Sequence, residues 1–96
     1  MMILITYDVN TETPEGRRRL RQLSKMCLNY GQRVQNSVYE CLLDVTQYAA
    51  VREKLSCMID PEEDSLRFYQ IGNHYENKII HVGKAQPYNQ CDILII

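Results

Sequence analysis

The stretch Met2-Ile3-Leu4-Ile5-Thr6-Tyr7-Asp8-Val9 constrains this chain more than any other. An apolar, β-branched run that ends in a carboxylate reads as a buried strand that delivers Asp8 to the rim of a sheet. Within ten residues of it comes Arg17-Arg18-Arg19-Leu20-Arg21, on what the flanking residues mark as a helix. Thr13 is a cap, Pro14 suits the first helical position, and Glu15 favours the positive end of the helix dipole. Leu20, Leu23, Cys27 and Tyr30 recur at helical spacing, and Gly31 is the stop. An acid and a group of permanent cations therefore belong to one strand–loop–helix unit.

Arg33–Val45 has β character, with Asn36-Ser37 as a bend that divides it into a short strand and a longer one. Thr46 is the expected cap of a second helix that carries Val51, Leu55 and Met58 along one side, until Asp60-Pro61 breaks it. Leu66, Phe68 and Gln70 alternate with Arg67, Tyr69 and Ile71 in a further strand, closed by Gly72-Asn73. Lys78–Val82 and Asp92–Ile96 read as two more short strands. The order β-α-(β-β)-α-β predicts an α+β, ferredoxin-like βαββαβ sandwich with an extra C-terminal strand, in one domain over residues 1–96. Were Arg33–Val45 a single strand, the order would become a small parallel open sheet. A chain of 96 residues with two helices favours the first arrangement.

Composition narrows the function less than the pattern does. With eleven basic and twelve acidic side chains the formal charge is −1, so the whole-chain balance gives no support for nucleic-acid binding. Distribution does: Arg17, Arg18, Arg19 and Arg21 cluster, while Asp60, Glu62, Glu63 and Asp64 collect in what reads as a solvated loop. The four cysteines form no C-x-x-C pair, which removes zinc ribbons and dithiol redox motifs. Reduced thiols in a cytoplasmic protein are expected, three of them as core filler. No signal peptide is expected at the apolar start, which meets Asp8 almost at once, and no run is long enough to span a membrane.

Asp8 has a structural alternative as a turn cap, but Asn10, Thr11 and Thr13 serve that purpose equally well. One carboxylate does not make a useful Mg²⁺ site, since the ion takes octahedral oxygen ligands. A symmetric dimer supplies a second Asp8 without a second acidic motif. Four arginines and no lysine in the cluster favour phosphate contact for one or two of them, because the guanidinium fork matches phosphate geometry. The others pair with Glu12, Glu15 or solvent. Ser37 has no supporting histidine–acid pair and reads as a turn residue rather than a nucleophile. Tyr7 and Tyr39 serve a site or the packing of a sheet equally well. His74 and His81 form no metal-ligand pair. Together these features suggest a protein that handles a phosphodiester backbone.

The Tyr7-Asp8-Val9 strand end, the arginine-bearing first helix and Arg33-Val34-Gln35-Asn36-Ser37-Val38-Tyr39-Glu40 together resemble the smaller protein of the CRISPR adaptation machinery. The resemblance spans the whole chain, with the last thirty residues matching in pattern more than in motif. It implies a symmetric, ferredoxin-like homodimer in which two Asp8 side chains face each other and share Mg²⁺ or Mn²⁺. Asp8 is then the metal ligand and, with Tyr7, catalytic. The family's nucleic-acid contacts fall on Arg17, Arg19, Arg33, Ser37 and Tyr39, with Arg18 and Arg21 competing in the same cluster. The C-terminal segment, about 91–96, would pair with the partner subunit's sheet.

Two functions follow from that resemblance. One is a metal-dependent endonuclease on double-stranded DNA or single-stranded RNA. The other is a non-catalytic, DNA-binding scaffold that bridges copies of the larger integrase subunit. A generic ferredoxin-like regulatory domain is the third possibility, and it leaves the arginine cluster without a purpose. The residues do not separate the first two, nor RNA from DNA.

Overall fold

The computed structural model describes residues 1–83. Strand β1 (Met2–Asp8) leads to helix α1 (Pro14–Tyr30), followed by β2 (Gln32–Gln35), β3 (Val38–Leu42), helix α2 (Val45–Met58) and β4 (Ser65–Gly72). The turn at Asn36-Ser37 divides Arg33–Val45 as expected, so the open parallel sheet is excluded. The sheet order is β2-β3-β1-β4, with every neighbouring pair antiparallel. Two helices cover one face of this sheet, which is the ferredoxin-like arrangement. β1 lies between β3 and β4, and for that reason its sequence is almost wholly apolar.

The period of two along each strand sorts the side chains. Ile3, Ile5 and Tyr7 of β1 join Tyr39 and Cys41 of β3 beneath the helices, where Leu23, Cys27, Val51 and Leu55 close the core. Leu4, Thr6 and Asp8 alternate to the other face, beside Val38, Glu40 and Leu42 of β3 and Arg67 and Tyr69 of β4. No helix covers that face, and Leu42 and Tyr69 are left 42% and 43% exposed.

The first helix begins as its sequence predicts: Thr13 Oγ1 accepts from the Gly16 N–H at 3.0 Å, and Pro14 opens the first turn. Gly31 ends it, with extended backbone rather than a left-handed turn. Glycine is needed there because the chain crosses β3 closely: a Cβ on Gly31 would collide with the Glu40 carbonyl oxygen and Cys41 Sγ. The second helix is capped by Asp44, not Thr46. Asp44 accepts from the Gln47 N–H at 2.7 Å, and the Gln47 side chain accepts from the Asp44 N–H at 3.0 Å. This reciprocal box satisfies two donors at once, which a Thr46 cap would forgo.

Two further expectations change. Residues 78–82 form no strand: Ile80 and Val82 are 86% and 89% exposed, and their backbone pairs with no edge among the described residues. Apolar alternation makes a strand only where a sheet edge accepts its hydrogen bonds. The expected strand Asp92–Ile96 lies outside the described residues, as does Cys91. Of the other cysteines, Cys27 and Cys41 fill the core, where burial pushes both thiols up to about 12, but Cys57 is exposed.

The second change is the larger. The acids before β4 are not simply a solvated loop, because the Asp64 side chain has no exposed surface. Arg19 donates to both its oxygens, Nε to Oδ2 at 2.7 Å and a terminal nitrogen to Oδ1 at 3.2 Å. The Asn10 and Asp60 backbone N–H groups donate at 3.1 and 2.9 Å. One carboxylate thus ties the β1–α1 loop, the α1 helix and the α2–β4 loop together.

Two stability predictions follow from this geometry. Gly31→Ala should destabilise the fold by about 1–3 kcal/mol, the usual cost of overpacking, read as a lower urea midpoint at fixed protein concentration. For Asp64, burial pushes the carboxyl up, but the hydrogen bonds from Arg19, Asp60 and Asn10 outweigh it and hold the group below its ordinary value. Its stabilising contribution is complete above the unfolded-state pKa of about 3.9 and is lost as pH falls through the lowered folded value. Asp64→Asn should therefore flatten the acid limb of stability between about pH 2 and pH 5, measured as urea midpoint against pH.

Candidate nucleic-acid and metal site

Seven sequence positions and Arg18 were candidates for function, and the fold distributes them over three places. Tyr7, Arg33, Ser37 and Tyr39 come together on the helix side of the sheet. Asp8 stands on the open side. Arg17, Arg18 and Arg19 lie on the first two turns of α1.

The helix-side group centres on the Tyr39 hydroxyl. Tyr7 donates its hydroxyl to it at 3.2 Å, Arg33 donates to it from Nε at 3.0 Å and from a terminal nitrogen at 2.9 Å, and Ser24 Oγ lies 2.8 Å away. Arg33 also donates to Ser24 Oγ at 2.5 Å. The two phenol rings stack with centroids 5.8 Å apart. Tyr39 is fully buried and Tyr7 nearly so. Burial, reinforced by the hydrogen bond with Tyr39, raises the Tyr7 phenol well above its ordinary value, so it remains neutral at physiological pH. Tyr7 is a hydrogen-bond donor here. Ser37 enters through its backbone: its carbonyl accepts from the Tyr7 N–H at 3.2 Å and closes the β2–β3 turn onto the end of β1. Ser24, on α1, is the member of this network that reading the sequence missed, because its partners are 9 and 15 residues away.

Asp8 is the last residue of β1, opposite Ser65 of β4, and it is exposed. Strand alternation turns it to the opposite face from Tyr7, although the two are adjacent in the chain. Its carboxylate makes no hydrogen bond or ion pair among the described residues. No group of three or more His, Cys, Asp or Glu side chains suited to a metal occurs among them either. A bare carboxylate at the rim of an uncovered sheet face is a chemically suitable ligand for a hard cation, but it is half of a site at most.

The arginines separate cleanly. Arg17 is exposed and donates to the Thr11 carbonyl at 3.0 Å. Arg18 is exposed and has no hydrogen-bond or ion-pair partner among the described residues. Arg19 presents its fork to Asp64 and is only 19% exposed. The expected pairing of surplus arginines with Glu12 or Glu15 is replaced by this one, because Asp64 offers a buried, fully hydrogen-bonded carboxylate and the first-turn glutamates do not.

This architecture has known counterparts. The chain matches the family model for "CRISPR associated protein Cas2" over residues 1–79. It is 51% identical over 96 residues to the "CRISPR-associated endoribonuclease Cas2" of Chlorobaculum tepidum, covering 100% of both chains. It is 50% identical over 95 residues to the "CRISPR-associated endonuclease Cas2" of Halalkalibacterium halodurans, covering 99% of each. A crystal structure of Streptococcus pyogenes Cas2 at pH 6.5 superposes with a TM-score of 0.75 at 48% identity, covering 86% of this chain and 100% of that one. A shared fold, a match along most of the chain and half of all residues in common leave one conclusion: this chain belongs to the Cas2 family of CRISPR-associated proteins.

Proposed function

We propose that this protein is a metal-dependent endonuclease of CRISPR adaptation, acting as a symmetric homodimer through two copies of Asp8. The observation that carries the reading is Asp8 itself: an exposed carboxylate without an intramolecular partner, at the rim of an uncovered sheet face, in a family whose relatives are named as nucleases. The open face carries Leu4, Leu42 and Tyr69, and covering it with a second copy would remove apolar surface from water. A two-fold axis near the end of β1 would bring two Asp8 carboxylates together.

Mg²⁺ or Mn²⁺ would be held by these two carboxylates, with waters completing its shell. When bound, such an ion polarises a phosphoryl oxygen and makes a bound water a stronger nucleophile. The remaining work falls to the chain. Arg17 and Arg18 meet the phosphate backbone from α1. Arg19, through Asp64, positions the loop that follows Asp8. Tyr7, Tyr39, Arg33 and Ser37 hold the end of β1 rigid, so that Asp8 emerges at a fixed place; Tyr7 acts through this positioning and Arg33 keeps an edge towards a ligand. Phosphate contacts of this kind bind DNA and RNA alike, since they read no bases.

A location in the cytoplasm accords with the free thiols of Cys27, Cys41 and Cys57. No helix among the described residues is long and apolar enough to cross a membrane. The larger integrase subunit would be the protein partner. The second reading, a scaffold that binds DNA without cutting it, draws on the same exposed Arg17 and Arg18 and needs no Asp8.

Matched duplex DNA and single-stranded RNA, each with and without Mg²⁺, separate the two. Asp8→Ala should reduce cleavage to the metal-free background while leaving binding intact; wild type that binds and never cuts establishes the scaffold instead. Arg17→Ala/Arg18→Ala should weaken binding on every duplex sequence and lower the slope of log Kd against log salt by roughly 2, at about 0.9 per phosphate contact. An unchanged slope removes both arginines from the interface.

A further inference from the structure

A second feature of α1 has no place in the reading above. Between this helix and the β2–β3 turn runs a groove of about 600 Å³. This lies within the range of about 300–1,000 Å³ usual for sites that hold a small organic group. Leu20 and Leu28 give it apolar lining, and Arg21, Lys25 and Arg33 line it with cations. No acidic side chain lines it, on a protein whose formal charge is −1. Arg21, Lys25 and Leu28 stand at i, i+4 and i+7, so one stretch of helix presents two cations and a large apolar side chain in a row. Among the described residues Arg21 and Lys25 make no ion pair or hydrogen bond. Leu28 is 48% exposed, although the core lies directly beneath at Cys27.

The two halves of this lining call for different things. The cations attract phosphate, as do Arg17 and Arg18 further up the helix. The leucines reward a broad apolar face, which a regular duplex does not offer, since its base faces are stacked and only base edges, sugars and phosphates can be reached. A nucleotide released from pairing offers both: a charged backbone and a flat, weakly polar base. We propose that this groove seats an unpaired nucleotide of the bound nucleic acid, its base against Leu20 and Leu28 and its phosphate between Arg21 and Lys25. The inference rests on the nucleic-acid reading and adds a preference to it: an end or a tail that is single-stranded binds better than a blunt duplex. The groove shares Tyr7, Ser24 and Arg33 with the buried network, so its wall is preorganised before any ligand arrives.

The test is fluorescence anisotropy on the full chain with three ligands: a blunt duplex, the same duplex with a three-nucleotide unpaired tail, and the tail strand alone. Wild type should bind the tailed duplex about five- to tenfold more tightly than the blunt one. Lys25→Gln should remove most of that gain and lower the salt slope on the tailed ligand by about 0.7, the value for one single-strand phosphate. Leu28→Asn should lose affinity for the tail at an unchanged slope, because it removes apolar contact and no charge. Both variants should hold the blunt duplex within about twofold of wild type. A tail that adds nothing overturns the proposal while leaving duplex binding standing, and so does equal weakening of blunt and tailed ligands. Failure of wild type to bind any of the three overturns the nucleic-acid reading itself and this subsite with it. Far-ultraviolet circular dichroism on both variants shows that α1 is intact, and both positions are solvent-facing enough to tolerate the change.

Discussion

Four donors converge on the Asp64 carboxylate, and the placement of every candidate functional group at this end of the sheet depends on them. A buried ion pair is seldom a large net source of stability, because desolvation offsets most of the attraction. Its effect here is geometric. Arg19 comes from α1, Asn10 from the loop after β1, and Asp60 from the loop before β4, so one carboxylate joins three segments. Ser65, the next residue, pairs with Asp8 across the β1–β4 ladder. The rim from which Asp8 projects is therefore held from both sides, through a carboxylate that is itself buried.

Strand alternation then divides the chemistry between two faces. Tyr7 and Asp8 are neighbours in the chain, and a reading of the motif as one unit would place both at the same reacting centre. The period of two turns their side chains to opposite faces of the sheet. Tyr7 turns inward to a hydroxyl network that has no exposed base, and Asp8 turns outward to a face that no helix covers. The network's value lies in rigidity: buried hydroxyls and a guanidinium that satisfy one another hold the end of β1 against the β2–β3 turn. A loss of Tyr7 would be felt at Asp8 through the backbone, not through a shared proton.

Much of this was written locally. The apolar run of β1 belongs to a central strand, Thr13-Pro14 starts a helix, Asn36-Ser37 turns the chain, and Leu66 to Ile71 alternate because one side of β4 faces the core. These signals work because their partners are near in sequence or because burial imposes a period. Most of the failures have the opposite property, and one is a contest between neighbouring caps. Asp64 looked like one acid among several, since its partners Arg19 and Asn10 are 45 and 54 residues away. Thr46 lost the cap to Asp44 because the capping box depends on Gln47 reaching back, which a one-residue preference does not reveal. Lys78–Val82 has the composition of a strand, but a strand is a relation between two segments and its pattern names only one. A metal site shared across a two-fold axis would leave only one acidic motif in the chain, so the pattern at Asp8 names at most half of one.

That last point separates the two proposed functions. On the reading above, binding through Arg17, Arg18 and the groove below them would belong to each subunit, since all of these groups come from one α1 and the strands beside it. Metal chemistry would belong to the pair, because one chain brings a single Asp8 and the ion takes more ligands than that. One substitution at Asp8 would remove both carboxylates of a homodimer at once, whereas phosphate contacts would be lost one increment at a time. The Asp64 and Tyr39 networks include neither Asp8 nor Arg18, so loss of cleavage would leave both the fold and the binding surface standing.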